Sequence, residues 1–295
     1  VLMECAWKSG DWIGLKKLFT TPAVRAMFEE TLPDTRLLMY QICSAIQDWK
    51  HGEVEHLCRN SFQVFLQKWQ SLPSITSSSH LRLLRSFQSV CELQESSKIL
   101  QDLQSFRTNM GNSATLRFPD FATYMHSWRE RQPNLWEDAT VWTDVFSWRL
   151  HMFEFVEDEW KRMKDRSGTT KVNSKFQDTP WTVLKLCEIA KSHKLHDLSL
   201  QCMDKVKDMN LVEVEIGFRK VAQQISLCLD EPQWLTNGLG IINKTNLKYL
   251  KPPQRGELFR LKGLFLERLG RVDEALSEFS KGMHTCDSYG DGWYS

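Results

Sequence analysis

Residues 260–283 of the chain read "RLKGLFLERLGRVDEALSEFSKGM". Apolar residues recur there at three- and four-residue steps on either side of Gly270, the pattern of two amphipathic helices joined by a tight turn. Gly263 and Ala275 put small side chains where the two helices would cross, and Phe279 is placed to fill the groove beside them. Such a hairpin buries one face of each helix and leaves the other in need of a neighbour, so it is stable only as one unit of a stacked array.

The rest of the chain supplies the neighbours. The spacing in the hairpin is that of a tetratricopeptide-like unit. Degenerate echoes occur at "KSGDWIGLKKLF" (Gly10, Leu15, Phe19), at "KLHDLSLQCM" (Lys194, Asp197, Ser199, Met203) and at "WKHGEVEHL", where Gly52 marks a similar junction. Apolar stripes run through Leu38, Ile42, Ala45, Ile46 and Trp49, then Phe62, Phe65, Leu66 and Trp69. Later stripes run through Val183, Leu184, Cys187 and Ala190, and through Ile216, Val221, Ile225 and Cys228. Only 14 glycines and 9 prolines interrupt 295 residues, against 12 tryptophans, which suits long helices packed side by side. Strand-type alternation does not run far enough between turn signals to support a sheet. The expected fold is all-α, an irregular helical-hairpin solenoid of tetratricopeptide or HEAT type. Breaks are expected at 71–80, 109–120 and 165–180, and the last of these is either a boundary between two lobes or an ordinary long loop within one array. Asp178 followed by Pro180, Pro232, and the Pro252-Pro253 pair mark helix starts.

Function classes are narrowed mostly by what is missing from the sequence. Lys plus Arg total 38 and Asp plus Glu total 37, a balance that gives no global pull toward nucleic acid or an anionic membrane. The apolar runs fall short of the ~20 residues a membrane-spanning helix needs. No glycine-rich phosphate loop, nucleophile elbow or kinase signature occurs. No catalytic, cofactor-binding or metal residues are therefore assigned. Cys187, His193, His196 and Cys202 are ligand types for zinc but lack paired ligand spacing. The eight cysteines read as reduced core residues. His51 and His56 read as solvated, as do Asp158 and Glu159 beside "KRMKDR".

The central segment "LWEDATVWTDVFSWRLHMFE" is the most distinctive. Val141, Val145, Trp148, Met152 and Phe155 form one stripe, with Trp142, Phe146 and Phe153 on the adjacent face. A surface this wide needs partners on two sides, either inside the array or on another domain. Arg149 has two candidate partners, Asp144 and the Trp148 ring. With its W-x-D-V-F-S-W-R core, this segment resembles the FAT region of the phosphatidylinositol-3-kinase-related kinase family, in particular its pseudokinase branch. "ECAWKSGDW" and the 260–283 hairpin agree with it, while 71–117 and 165–180 do not contribute. The resemblance implies that residues 1–295 are part of one FAT-type solenoid, carried on a much larger chain and wrapped around a kinase-like domain. It also implies a non-enzymatic nuclear scaffold of histone acetyltransferase co-activator complexes. Its partners would be the complex's protein subunits, the chain's own kinase-like domain and transcriptional activators, with no direct nucleic acid, membrane or cofactor. Trp142, Asp144, Phe146, Trp148 and Arg149 carry over as a structural core. Two rivals remain, the FAT region of an active kinase and a free-standing tetratricopeptide adaptor.

Overall fold

The computed structural model describes residues 1–28, 33–75, 77–109, 121–167, 178–207, 209, 213–230 and 232–285. It divides into two compact units, Val1–Asn173 and Ser174–Ser295. Among the described residues every regular element is helical. The first unit holds α1 (Leu2–Ser9), α2 (Trp12–Phe19), α3 (Pro22–Phe28), α4 (Thr35–Gln47), α5 (His51–Gln70), α6 (Ser78–Asn109), α7 (Ala122–Glu130) and α8 (Ala139–Ser167). The second holds α9 (Asp178–Ser192), α10 (His196–Lys207), α11 (Val214–Asp230), α12 (Leu235–Lys244), α13 (Pro252–Arg268) and α14 (Val272–Thr285), with short 3₁₀ turns at Pro232–Trp234 and Leu247–Tyr249.

Four hairpins share one turn. Gly10, Trp49, Lys194 and Gly270 all have left-handed backbones, with φ of 72°, 60°, 60° and 76°. Each donates its N–H to the carbonyl three residues back: Trp7, Ile46, Lys191 and Glu267, at 2.9–3.1 Å. Each following residue donates to the carbonyl one residue deeper, Ala6, Ala45, Ala190 and Leu266, at 2.8–3.0 Å. This is the Schellman closure of a helix C-terminus. The fifth residue after each turn is buried in every case: Leu15, Val54, Ser199 and Ala275. The echoes at Gly10 and Lys194 are thus true equivalents of Gly270. Gly52 is not. It lies in the first turn of α5 with open space around it, and Trp49 takes the left-handed position instead.

A side chain with a Cβ costs about 1–2 kcal/mol in the left-handed region. Lys194 is exposed. Lys194→Gly is therefore expected to stabilise the second unit by about 1 kcal/mol, read as a higher urea midpoint at unchanged slope.

The hairpins cross closely where the sequence places small residues. At α9–α10, Cys187 Sγ donates to the Ser199 carbonyl at 3.5 Å and Ser199 Oγ donates to the Cys187 carbonyl at 3.3 Å. At α13–α14, a Cβ on Gly263 would overlap the Phe279 ring. Gly263→Ala is expected to cost about 1–3 kcal/mol, as a lower melting temperature, although alanine is the better helix former. Between these hairpins, Ile225, Cys228, Leu235, Ile242, Leu258, Leu261 and Phe265 form one core.

In the first unit α5 and α6 run antiparallel at constant register. His51 Nδ1 lies 2.9 Å from Ser97 Oγ, Phe62 stacks 5.0 Å from Phe87, and Trp69 meets His80 edge-on at 5.0 Å. His51 is therefore not solvated; burial holds its pKa below the ordinary histidine value. The buried stripe of α5 is Val54, Cys58, Ser61 and Phe65. Leu66 and Trp69 fall off it and are exposed, because Ser61 takes the inward position and returns its hydroxyl to the Leu57 carbonyl at 2.8 Å. Among the expected breaks, α6 begins at Ser78; 110–120 and 168–177 lie outside the described residues.

Candidate functional site

The W-x-D-V-F-S-W-R segment opens α8, whose start is capped by Asp138 Oδ1 accepting from the Thr140 N–H at 2.8 Å. Trp142, Phe146, Trp148, Met152, Phe153 and Val156 are all buried. At their centre lies Arg149, 2% exposed. It takes neither of the partners expected from sequence. Its Nε and Nη2 donate to the two oxygens of Glu92 on α6, at 3.0 and 2.7 Å. Nη2 also donates to the Arg131 carbonyl at 2.9 Å. The guanidinium carbon lies 5.8 Å from the centres of both the Trp128 and Phe146 rings. Gln88 ties the same two acceptors together, 3.1 Å from Glu92 Oε1 and 3.0 Å from the Arg131 carbonyl. One turn along α6, Glu95 accepts from Trp128 Nε1 at 2.7 Å and from Arg131 Nη1 at 2.9 Å. The fork geometry of arginine is what allows one side chain to bind a carboxylate twice and still reach a carbonyl.

Asp144 points the other way. It pairs with Lys8 of α1 at 2.6 Å and with Arg36 of α4 at 3.7 Å, and Glu4 completes the ring at 3.0 Å from Lys8. The hydrogen bond from Lys8 holds the Glu4 carboxyl below its ordinary pKa. Burial pulls Lys8 down, but its two carboxylate partners outweigh that and its pKa is raised. Two turns further along α8, His151 Nε2 lies 2.9 Å from the Trp7 carbonyl, and its ring meets Trp12 edge-on at 5.1 Å. Glu159 is buried rather than solvated, because Arg107 of α6 reaches it at 2.6 Å and Arg162 pairs with its other oxygen. The segment is therefore a clamp. It joins α8 to α6 and α7 through Arg149 and to α1 and α4 through Asp144.

Beside the clamp, α4, α6 and α8 enclose a cleft of about 660 Å³, lined among others by Arg36, Arg82, Arg85, Asp138, Asp144 and Trp148. Arg85 is committed to Glu137. Glu92, whose charge would be the natural base of any cleft chemistry, is bound by Arg149. Nothing in the sequence pattern pointed to Glu92, Glu95 or Arg131. Glu92 and Glu95 lie mid-helix in α6, and only packing reveals that they turn inward.

The described residues do not group Cys187, His193, His196 and Cys202 into a metal site. Cys187 and Cys202 are buried on α9 and α10, and Cys187 Sγ is engaged by the Ser199 carbonyl. Burial pushes the Cys187 thiol up to about 12 and Cys202 up to about 11, so neither is an activated nucleophile. His196 is exposed at the turn. Among the described residues no three His, Cys, Asp or Glu side chains are grouped to hold a metal ion. Of the described cysteines, Cys5 departs from the core expectation by being exposed and Cys91 is half-buried, while Cys286 lies outside the described residues.

The FAT domain family matches residues 1–295. The chain belongs to this family. The FAT segment is 25% identical to the SAGA complex/NuA4 acetyltransferase complex subunit TRA1 of Saccharomyces cerevisiae over 99% of its length. It is 29% identical to the Schizosaccharomyces pombe subunit Tra1 over 93%. It is 25% identical to the human transformation/transcription domain-associated protein over 99%. In each case the FAT segment spans 8% of the relative's own length.

Proposed function

We propose that this FAT segment is a structural part of a large, non-catalytic scaffold subunit of a histone acetyltransferase co-activator complex. In this reading it sits in the nucleus, residues 1–295 form one FAT-type solenoid, and the solenoid packs around the pseudokinase domain of its own chain. It also carries surfaces for other subunits and for transcriptional activators. The observation that supports this best is the alignment of almost the whole chain with subunits of SAGA and NuA4. The chemistry agrees. The charged side chains of the recognisable core are spent on neighbouring helices, Arg149 on Glu92 and Asp144 on Lys8. A clamp of this kind transmits and holds shape.

The test is purification of the tagged endogenous polypeptide from nuclei. The expected result is a chain many times larger than 34.6 kDa that co-purifies with acetyltransferase activity on nucleosomal histones and has no protein-kinase activity of its own. Kinase activity abolished by mutating a downstream kinase-like domain would assign the segment to an active kinase instead. A free chain near 34.6 kDa that captures short peptides would assign it to the adaptor class.

A further inference from the structure

Surface charge in this chain is answered locally. Lys and Arg outnumber Asp and Glu only by 38 to 37. Exposed cations sit beside carboxylates three residues away: Lys50 with Glu53, Lys161 with Asp158, Lys207 with Asp204 and Arg271 with Glu274. The connector from α12 to α13 breaks that pattern. No Asp or Glu occurs between residues 232 and 256, yet Lys244, Lys248, Lys251 and Arg255 all fall there. Lys244 and Lys248 are exposed and have no carboxylate partner among the described residues. Glu215 of α11 reaches Lys251 at 3.7 Å, a solvent-exposed pair that offsets one charge only weakly. Glu257, where the acid-free run ends, is taken by Arg260 at 2.7 Å. Between Lys248 and Lys251 stands Tyr249, 69% exposed.

The connector is held in place by its own hydrogen bonds. Asn246 Oδ1 accepts from the Lys248 N–H and Gln254 Oε1 from the Lys251 N–H, both at 2.9 Å. The Leu250 carbonyl accepts from Arg255 Nε at 2.9 Å, and the Leu250 side chain is buried in the core between α11 and α13. Pro252 opens α13 and fixes the backbone where the connector ends. Three ammonium groups and a phenol are thus presented from one short bend whose backbone is already ordered, so little backbone entropy opposes binding there.

We propose that this bend is a docking point for an acidic segment of another protein, rich in Asp or Glu, whose carboxylates meet Lys244, Lys248 and Lys251 and which packs on the Tyr249 ring. Charge complementarity sets the sign of the partner, and the exposed tyrosine supplies the amphipathic contact area common at interfaces. The basic run is bounded by the otherwise uncharged α12 on one side and by Glu257 on the other, which is too short for the phosphate track of a nucleic acid strand. The inference is independent of the scaffold reading and needs only the connector.

The test uses the endogenous polypeptide, of whatever length, and a short peptide of Asp, Glu and Gly that carries a benzophenone, with crosslinks mapped by mass spectrometry. Crosslinks are expected on residues 244–255 and are expected to weaken as salt is raised. Combining Lys244→Gln, Lys248→Gln and Lys251→Gln is expected to reduce them by more than about tenfold; all three side chains are exposed, and an unchanged circular dichroism spectrum verifies the fold. Lys194→Gln, Lys205→Gln and Lys207→Gln together remove the same charge from exposed positions at α10 and are expected to leave the crosslinks as they were. Crosslinks that miss residues 244–255, or that survive the connector variant, overturn the proposal. So does a counterpart peptide of Asn, Gln and Gly that labels the bend equally. An oligothymidylate of equal charge that displaces the acidic peptide at lower concentration overturns it in favour of nucleic acid. None of these results bears on the scaffold reading, and an endogenous polypeptide of only 34.6 kDa would overturn that reading alone.

Discussion

Arg149→Met is expected to destabilise the Val1–Asn173 unit by about 3–5 kcal/mol, as for breaking one half of a buried ion pair. The cost comes less from the lost attraction than from what is left behind. Glu92 is 2% exposed, and without the guanidinium its carboxylate keeps only Gln88 Nε2 at 3.1 Å. The Arg131 carbonyl loses the same donor. Methionine preserves much of the aliphatic volume, so the experiment isolates charge from packing. Removing both partners is the control. Arg149→Met with Glu92→Leu is expected to recover most of the loss, since two apolar groups of similar volume leave no orphaned charge. Urea unfolding followed by circular dichroism reads both. A single variant that unfolds at the wild-type midpoint would show that Arg149 does not hold α8 to α6. A double variant as unstable as the single one would show that shape, not charge, is what the site demands.

What the sequence made legible follows from which forces are local. The hairpin at Gly270 was readable because a left-handed turn, a small residue at the crossing and an aromatic beside it all lie within one short stretch. Lys194 could be aligned for the same reason, through the Ser199 and Met203 positions rather than through its own side chain. Trp49 could not, because tryptophan gives no hint of a positive φ and Gly52 nearby offered a false one. Its conformation is imposed by the turn's hydrogen bonds to Ile46 and Ala45. The partner of Arg149 was out of reach for a different reason. Glu92 is 57 residues away, and its surroundings in α6 are polar enough to read as solvent-facing. The same logic hides Glu159, since its neighbours Asp158 and Lys161 are exposed while Arg107 on α6 draws Glu159 itself inward. Periodicity reports which face of a helix is apolar. It does not report that a charge on that face has been given a partner elsewhere.

Trp148→Ala is expected to cost a further unit-wide loss of about 3–5 kcal/mol, with a lower melting temperature and unchanged helix content at low temperature. The side chain is buried between α8 and the cleft wall, and its removal opens a void that rigid helices on either side cannot close. Trp148→Phe separates volume from polarity. The indole Nε1 of Trp148 is buried with no hydrogen-bond partner, so the ring pays a desolvation cost of about 1–3 kcal/mol that phenylalanine avoids. The smaller ring gives back part of that in lost contacts, and the net change is expected to fall within about 1 kcal/mol of wild type. Trp128 is the contrasting case. Its Nε1 donates to Glu95 at 2.7 Å, so Trp128→Phe removes both volume and a charge-assisted bond and is expected to be the more damaging by about 1.5–3 kcal/mol. The order of the two phenylalanine variants in a thermal melt is thus a direct reading of which indole is hydrogen-bonded. If Trp148→Phe proved the worse of the two, the partnerless burial of its indole, and with it the assignment of Trp148 as pure packing, would be wrong.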